Sequence, residues 1–86
     1  MTPDQAALQQ AFGRKLRELR HARGISQEQL GIASDLHRTY ISDVERGARN
    51  VSLGAIVAFA RGLGVTAAEL LAGIDAPIPA IAADDL

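Results

Sequence analysis

An all-α fold, a compact bundle of five helices, is the architecture that this chain of 86 residues predicts. Three observations carry it. The apolar fraction, 48%, comes from Ala, Leu, Ile and Val with only three aromatic side chains, a balance that favours helix. A capping signal recurs at the head of successive apolar-periodic stretches. A glycine then closes four of them, at Gly24, Gly47, Gly64 and Gly73, where a left-handed residue ends a helix.

The elements follow in order. Thr2, Pro3 and Gln5 open a first helix over residues 3–23, with proline in the first helical position, where its missing N–H costs nothing. Leu8, Phe12, Leu16 and Leu19 share one face of it. Ser26 and Gln29 form a capping box, flanked by Ile25 and Leu30 at staple spacing, and start a second helix over 27–34. His37 is a poorer cap, with Leu36 and Ile41 at the same spacing, for a third helix over 38–46. Ser52, with Val51 and Ile56, opens a fourth over 53–63. Thr66 and Glu69, with Val65 and Leu70, open a fifth over 67–72. Leu30, Ile41, Val44, Ile56, Phe59, Leu63, Leu70 and Leu71 are expected to complete the core. Residues 1–73 thus read as one domain. Residues 74–86, with two prolines, three acids and no helical period, read as a mobile acidic tail.

Composition excludes several classes of function. Cysteine is absent, which removes disulfide and thiolate–metal frameworks. His21 and His37 are too few for a metal site, and no nucleophile–base set or phosphate loop is present. An enzyme is therefore not expected, nor a cofactor. The N-terminus lacks a basic-then-apolar signal and no apolar run approaches ~18 residues, so a cytoplasmic protein without a membrane partner is expected. Net charge is −1, but unevenly spread. Between Arg14 and Arg49 eight basic residues stand against five acidic, a net of +3, while the remainder carries −4. A basic block on helices can be merely a solvated face. It gains meaning from the segment it surrounds.

Residues 26–47, SQEQLGIASDLHRTYISDVERG, have the layout of a helix-turn-helix: two short helices on a three-residue connection. Leu30 anchors the first and Ile41 and Val44 the second. Gly31 leaves room for a close approach, and Asp35 stands where the turn needs a positive φ. Through FGRKLRELR, SQEQL, RTYISDVERG, RNVSL and LGVTAAELL, the stretch from Phe12 to Leu71 resembles the Xre/Cro-like family of phage and bacterial repressors. RTYIS, ERG and RN add a flavour of restriction–modification controller proteins. Departures lie at Gly31, Ser34 and Asp35, where the family usually has Ala, a larger or alanine-type apolar residue, and Gly. Ile32 falls where the family is usually polar.

The resemblance implies a DNA-binding bundle of the phage-repressor type. Gln27, after Ser26 at the head of the second helix, resembles the family's phosphate-clamping glutamine. Arg38, Thr39 and Tyr40 open the third helix, the part that a recognition helix turns to base edges. Arg38 can meet guanine bidentately, Thr39 a thymine methyl or a phosphate, and Tyr40 the backbone or a flexible step. Asp43 either accepts from a cytosine amino group or pairs with Arg46 at i+3. Ser42 and His37 are candidate phosphate contacts, while Arg49 and Asn50 resemble residues placed over the backbone or inner base pairs. Glu45 is expected to pair with Arg20, which closes the first helix and can also face a phosphate.

The function expected is sequence-specific regulation of transcription by a homodimer on a two-half-site double-stranded operator. No small-molecule effector is evident. RNA polymerase is a further candidate partner, through acids such as Glu28. The dimer interface is expected at Leu63, Val65, Leu70, Leu71 and Ile74, since one recognition helix buries too little for specific binding. The alternative is an antitoxin or adaptor module that keeps the fold and mainly binds a protein, with only the short tail to do so.

Overall fold

A computed structural model describes residues 3–74. Five helices occupy them: α1 Pro3–Ala22, α2 Gln27–Ser34, α3 Arg38–Glu45, α4 Leu53–Leu63 and α5 Ala67–Leu71. No strand occurs among the described residues. Thr2 and the segment 75–86, to which all but the first residue of the expected tail belongs, lie outside them.

Local chemistry sets the helix starts. Ser26 Oγ accepts from the Gln29 N–H at 3.0 Å, and Gln29 Oε1 accepts from the Ser26 N–H at 2.8 Å, closing a reciprocal box. Ser52 and Thr66 accept from the N–H of Ala55 and Glu69 in the same way. His37 caps α3 with its ring, Nδ1 accepting from the Thr39 N–H at 3.0 Å. At the far end of α2, Asp35 takes a left-handed φ of 57°, the only non-glycine among the described residues to do so. α1, α3 and α5 each stop one residue short of the expected end.

α1 packs on α3, and α2 lies between α3 and α4. Leu16, Leu30, Ile41, Val44, Phe59 and Leu70 are fully buried where these helices meet, each contributing about 1.5–3 kcal/mol relative to exposure. Two glycines set how closely the layers approach. A Cβ on Gly13 would stand 2.3 Å from the Val44 carbonyl oxygen, so α1 and α3 touch backbone to backbone. A Cβ on Gly62 would meet Leu30 and Ser34 at 3.1–3.3 Å, where α4 crosses α2. Ser34 suits that crossing: it is buried, and its hydroxyl donates to the Leu30 carbonyl at 2.6 Å. The room left by Gly31 serves the turn first, since a Cβ there would meet the Leu36 carbonyl oxygen at 2.8 Å, with Arg38 and Ile41 of α3 next at 3.6 Å.

Two expected core residues, Leu8 and Leu71, are exposed, while Ile56, like Leu19, is half-buried and packs against the core. Leu8, Ile56 and Leu71 line a shallow apolar groove with Val51 and Ile74, between the start of α1 and the end of α5. Ile32 is exposed on the outer face of α2.

Candidate nucleic-acid interface

α3 is two-faced. Ile41 and Val44 turn into the core, whereas Arg38, Thr39 and Arg46 are exposed and Ser42 and Asp43 half-exposed on the opposite side. A short helix fixed by its apolar face thus displays a polar row to solvent, from Arg38 in its first turn to Arg46 at its C-cap. Ser26, His37, Arg49 and Asn50 are exposed around it. The Ser26 hydroxyl and the His37 Nδ1 are occupied in capping as acceptors, leaving the Ser26 O–H and the His37 Nε2 side to face outward.

Tyr40 behaves differently from its neighbours. It is half-buried, and its ring stacks on Phe59 at 6.1 Å between centroids with planes 15° apart. The Arg49 guanidinium lies over the same ring, its Cζ 5.6 Å from the centroid. Tyr40 is therefore a platform joining the core to the loop after α3.

A buried network fixes the ends of α1, α2 and α3 together. Arg20 donates from Nε and Nη2 to the two oxygens of Glu45 at 2.7 and 2.9 Å, a bidentate pair. Its Nη1 donates to the Ile25 carbonyl at 2.9 Å, and Nη2 also donates to His21 Nε2 at 3.3 Å. The side chains of Arg20 and Glu45 are only 9% and 5% exposed. Burial opposes ionisation of Glu45. Hydrogen bonds from Arg20 and Gln27, with the charges of Arg20 and Arg17, outweigh it and hold the carboxyl below its ordinary value. The bond to Glu45 in turn raises Arg20. The contact between Gln27 and Glu45, Nε2 donating to Oε1 at 3.1 Å, was not foreseen: eighteen residues separate the pair, and no local pattern joins them. It leaves one amide N–H of Gln27 for another partner.

Asp43 pairs with Arg46, as the i+3 spacing allowed, and additionally with Arg49, whose Nε donates to Oδ2 at 3.3 Å. Two residues expected at a dimer contact are elsewhere: Leu63 and Leu70 are 4% and 0% exposed within the chain itself. A side chain already enclosed has no surface to offer a partner. Val65 and Ile74 are half-buried and Leu71 is exposed. The large apolar residues that do face outward on α4, Leu53 and Val57, went unremarked in the sequence because α4 is apolar nearly all round.

The model of the helix-turn-helix domain family matches residues 11–72. Control protein C.BamHI of Bacillus amyloliquefaciens is 52% identical over 61 residues, covering 70% of this chain and 75% of that protein. Control protein C.MunI of Mycoplasma sp is 45% identical over 65 residues, covering 74% and 88%. Among solved structures, the restriction-modification controller protein C.AhdI from Aeromonas hydrophila superposes with a TM-score of 0.71 at 50% identity. That match covers 72% of this chain and 94% of the other.

Proposed function

We infer, from the premise that the chain belongs to the helix-turn-helix family and to its restriction–modification controller proteins, that it regulates transcription by binding operator DNA as a homodimer. The observation that carries this reading is the polar face of α3. Arg38, Thr39, Ser42, Asp43 and Arg46 project from a helix whose other side is locked by Ile41 and Val44, a geometry fit to enter a major groove. Gln27 and the start of α2 supply backbone donors beside it. The reading is that of a non-enzymatic, cytoplasmic protein without a small-molecule effector. Among the described residues no helix is long and apolar enough to cross a membrane, and no group of ligating side chains is fit for a metal. RNA polymerase is a further partner in this reading, met by exposed acids such as Glu28. The antitoxin or adaptor alternative leaned on the tail, nearly all of it outside the described residues, and the relatives above are control proteins.

The test is a titration of wild type and variants against an operator selected from a random duplex pool, a guanine-substituted operator and random duplex. Arg38→Ala is expected to cost about 1–3 kcal/mol per half-site and to flatten discrimination at one base, with random DNA affected much less. Gln27→Ala, which removes a contact to the DNA backbone in this reading together with the bond to Glu45, weakens all three duplexes alike and leaves the salt slope nearly unchanged. Equal loss on all three duplexes with Arg38→Ala makes that residue a phosphate clamp and moves sequence reading to Thr39 or Arg49. Absence of any selected sequence overturns the regulator reading.

The second copy is expected to cover the exposed apolar residues of α4 and α5, Leu53, Val57 and Leu71. Leu53 and Val57 stand four residues apart on one face of α4, an apolar stripe rather than a scattered side chain, in a domain that buries only ~60% of its unfolded surface. Leu53→Glu should shift sedimentation from dimer to monomer in the micromolar range, with a parallel loss of operator affinity and little change in monomer folding. Monomer alone in the wild type at high micromolar concentration, with and without DNA, rules the homodimer out.

A further inference from the structure

Asp43 is the one acid on the polar face of α3, and phosphates repel it, yet it is held there by two arginines at once. Its Oδ1 accepts from Arg46 Nη2 and its Oδ2 from Arg49 Nε. The geometry at Arg49 is informative. Arg49 meets Asp43 through Nε, and among the described residues its two terminal nitrogens, a fork able to meet guanine bidentately, have no hydrogen-bond partner. The guanidinium carbon lies over Tyr40, and Tyr40 stacks on the fully buried Phe59. A long side chain on a loop, which would ordinarily lose rotamer freedom on binding, is held from two directions before DNA arrives.

We propose that Asp43 is a specificity-determining positioning residue: it aims Arg49 through Nε while cancelling one positive charge at the DNA-facing surface. The inference rests on the reading of α3 as a DNA-binding element. Two consequences follow from one carboxylate. Aiming favours the operator, where the fork meets a base. Charge cancellation weakens attraction to any phosphate backbone, so random DNA is held less tightly. Both raise the ratio of specific to non-specific affinity.

The experiment compares wild type and Asp43→Asn on the operator selected by the wild-type protein and on random duplex of equal length, each across a salt series. Asn keeps the size and one acceptor but removes the charge. Random-duplex affinity should rise about fivefold, as two exposed ion pairs of this kind allow, and its salt slope should steepen by about one. Operator affinity should fall several-fold, so the ratio drops by more than tenfold. In an Arg49→Ala background, Asp43→Asn should no longer lower operator affinity. Parallel gains on both duplexes would make Asp43 a simple repulsive charge and overturn the proposal. Unchanged affinities overturn it as well, and so does an equal operator loss with Arg49 absent, which assigns Asp43 a base contact of its own. A wild type that selects no sequence refutes the DNA-binding premise instead, a result visible before any variant is compared. Asp43 lies outside the core, and unchanged thermal unfolding of the variant separates these outcomes from misfolding.

Discussion

Glu45→Ala is expected to lower the unfolding free energy by about 3–5 kcal/mol at neutral pH, because it strands the buried Arg20 guanidinium without its counter-charge. A chain of this size has roughly 4–13 kcal/mol in all, at 0.05–0.15 kcal/mol per residue, so the variant should sit near the edge of folding. Arg20→Ala should cost a similar amount, and the double variant less than the sum of the two, since the second change relieves the charge left by the first. The pair also makes stability depend on pH. Folding lowers the Glu45 carboxyl below its ordinary value of 4.5. Its contribution is therefore fully present above that pH and is lost as pH falls toward and through the lower folded value. Urea titrations of wild type and Glu45→Gln across pH 3–7 check this: the variant should be less stable at neutral pH, and the gap should narrow on acidification. Additive effects below 1 kcal/mol would show the pair to contribute no more than an exposed one.

How much was legible in the sequence depended on whether the information was local. Ser26 with Gln29, Ser52, Thr66 and the left-handed Asp35 all act within a few residues, and each stands where the pattern put it. The polar face of α3 was legible for the same reason, because Ile41 and Val44 declare the buried side. α4 and α5 are legible only in part, for opposite reasons. The spacing of Ile56, Phe59 and Leu63 sets Phe59 and Leu63 inward on α4, but with apolar residues around most of the helix nothing marks Leu53 and Val57 as facing water. Five residues of α5 are too few to show a period at all, so Leu70 and Leu71 looked alike although one is enclosed and the other exposed. Contacts between distant segments were hidden altogether. The pairing of Arg20 with Glu45, 25 residues apart, was approachable only through family resemblance, and the bonds from Gln27 to Glu45 and Arg49 to Asp43 not even so. One non-local feature did leave a trace. A glycine inside a helix sacrifices about 1 kcal/mol against alanine, so Gly13 in the middle of α1 signals a packing reason in advance.

That reason leads to the second large effect, at Gly13. Alanine there should raise helix propensity by about 1 kcal/mol, yet Gly13→Ala is expected to destabilise the fold by about 3 kcal/mol net. The added Cβ would lie 2.3 Å from the Val44 oxygen and 2.8 Å from that of Glu45, and both are backbone atoms that no rotamer change can move aside. Relief requires α3 to shift away from α1 at its C-terminal turn. The same turn carries Glu45, so the bidentate bonds from Arg20, at 2.7 and 2.9 Å, would be stretched by the shift. It also carries the end of the polar face, so operator affinity should fall along with stability. Gly54 provides the contrast: it is helical, and among the described residues no atom beyond its chain neighbours and its own helical backbone would lie within 4 Å of its Cβ, so Gly54→Ala should be neutral or stabilising by up to about 1 kcal/mol. Urea denaturation of the two variants beside wild type decides the matter. If Gly13→Ala proves as harmless as Gly54→Ala, the backbone contact between α1 and α3 is not what sets the spacing of the bundle.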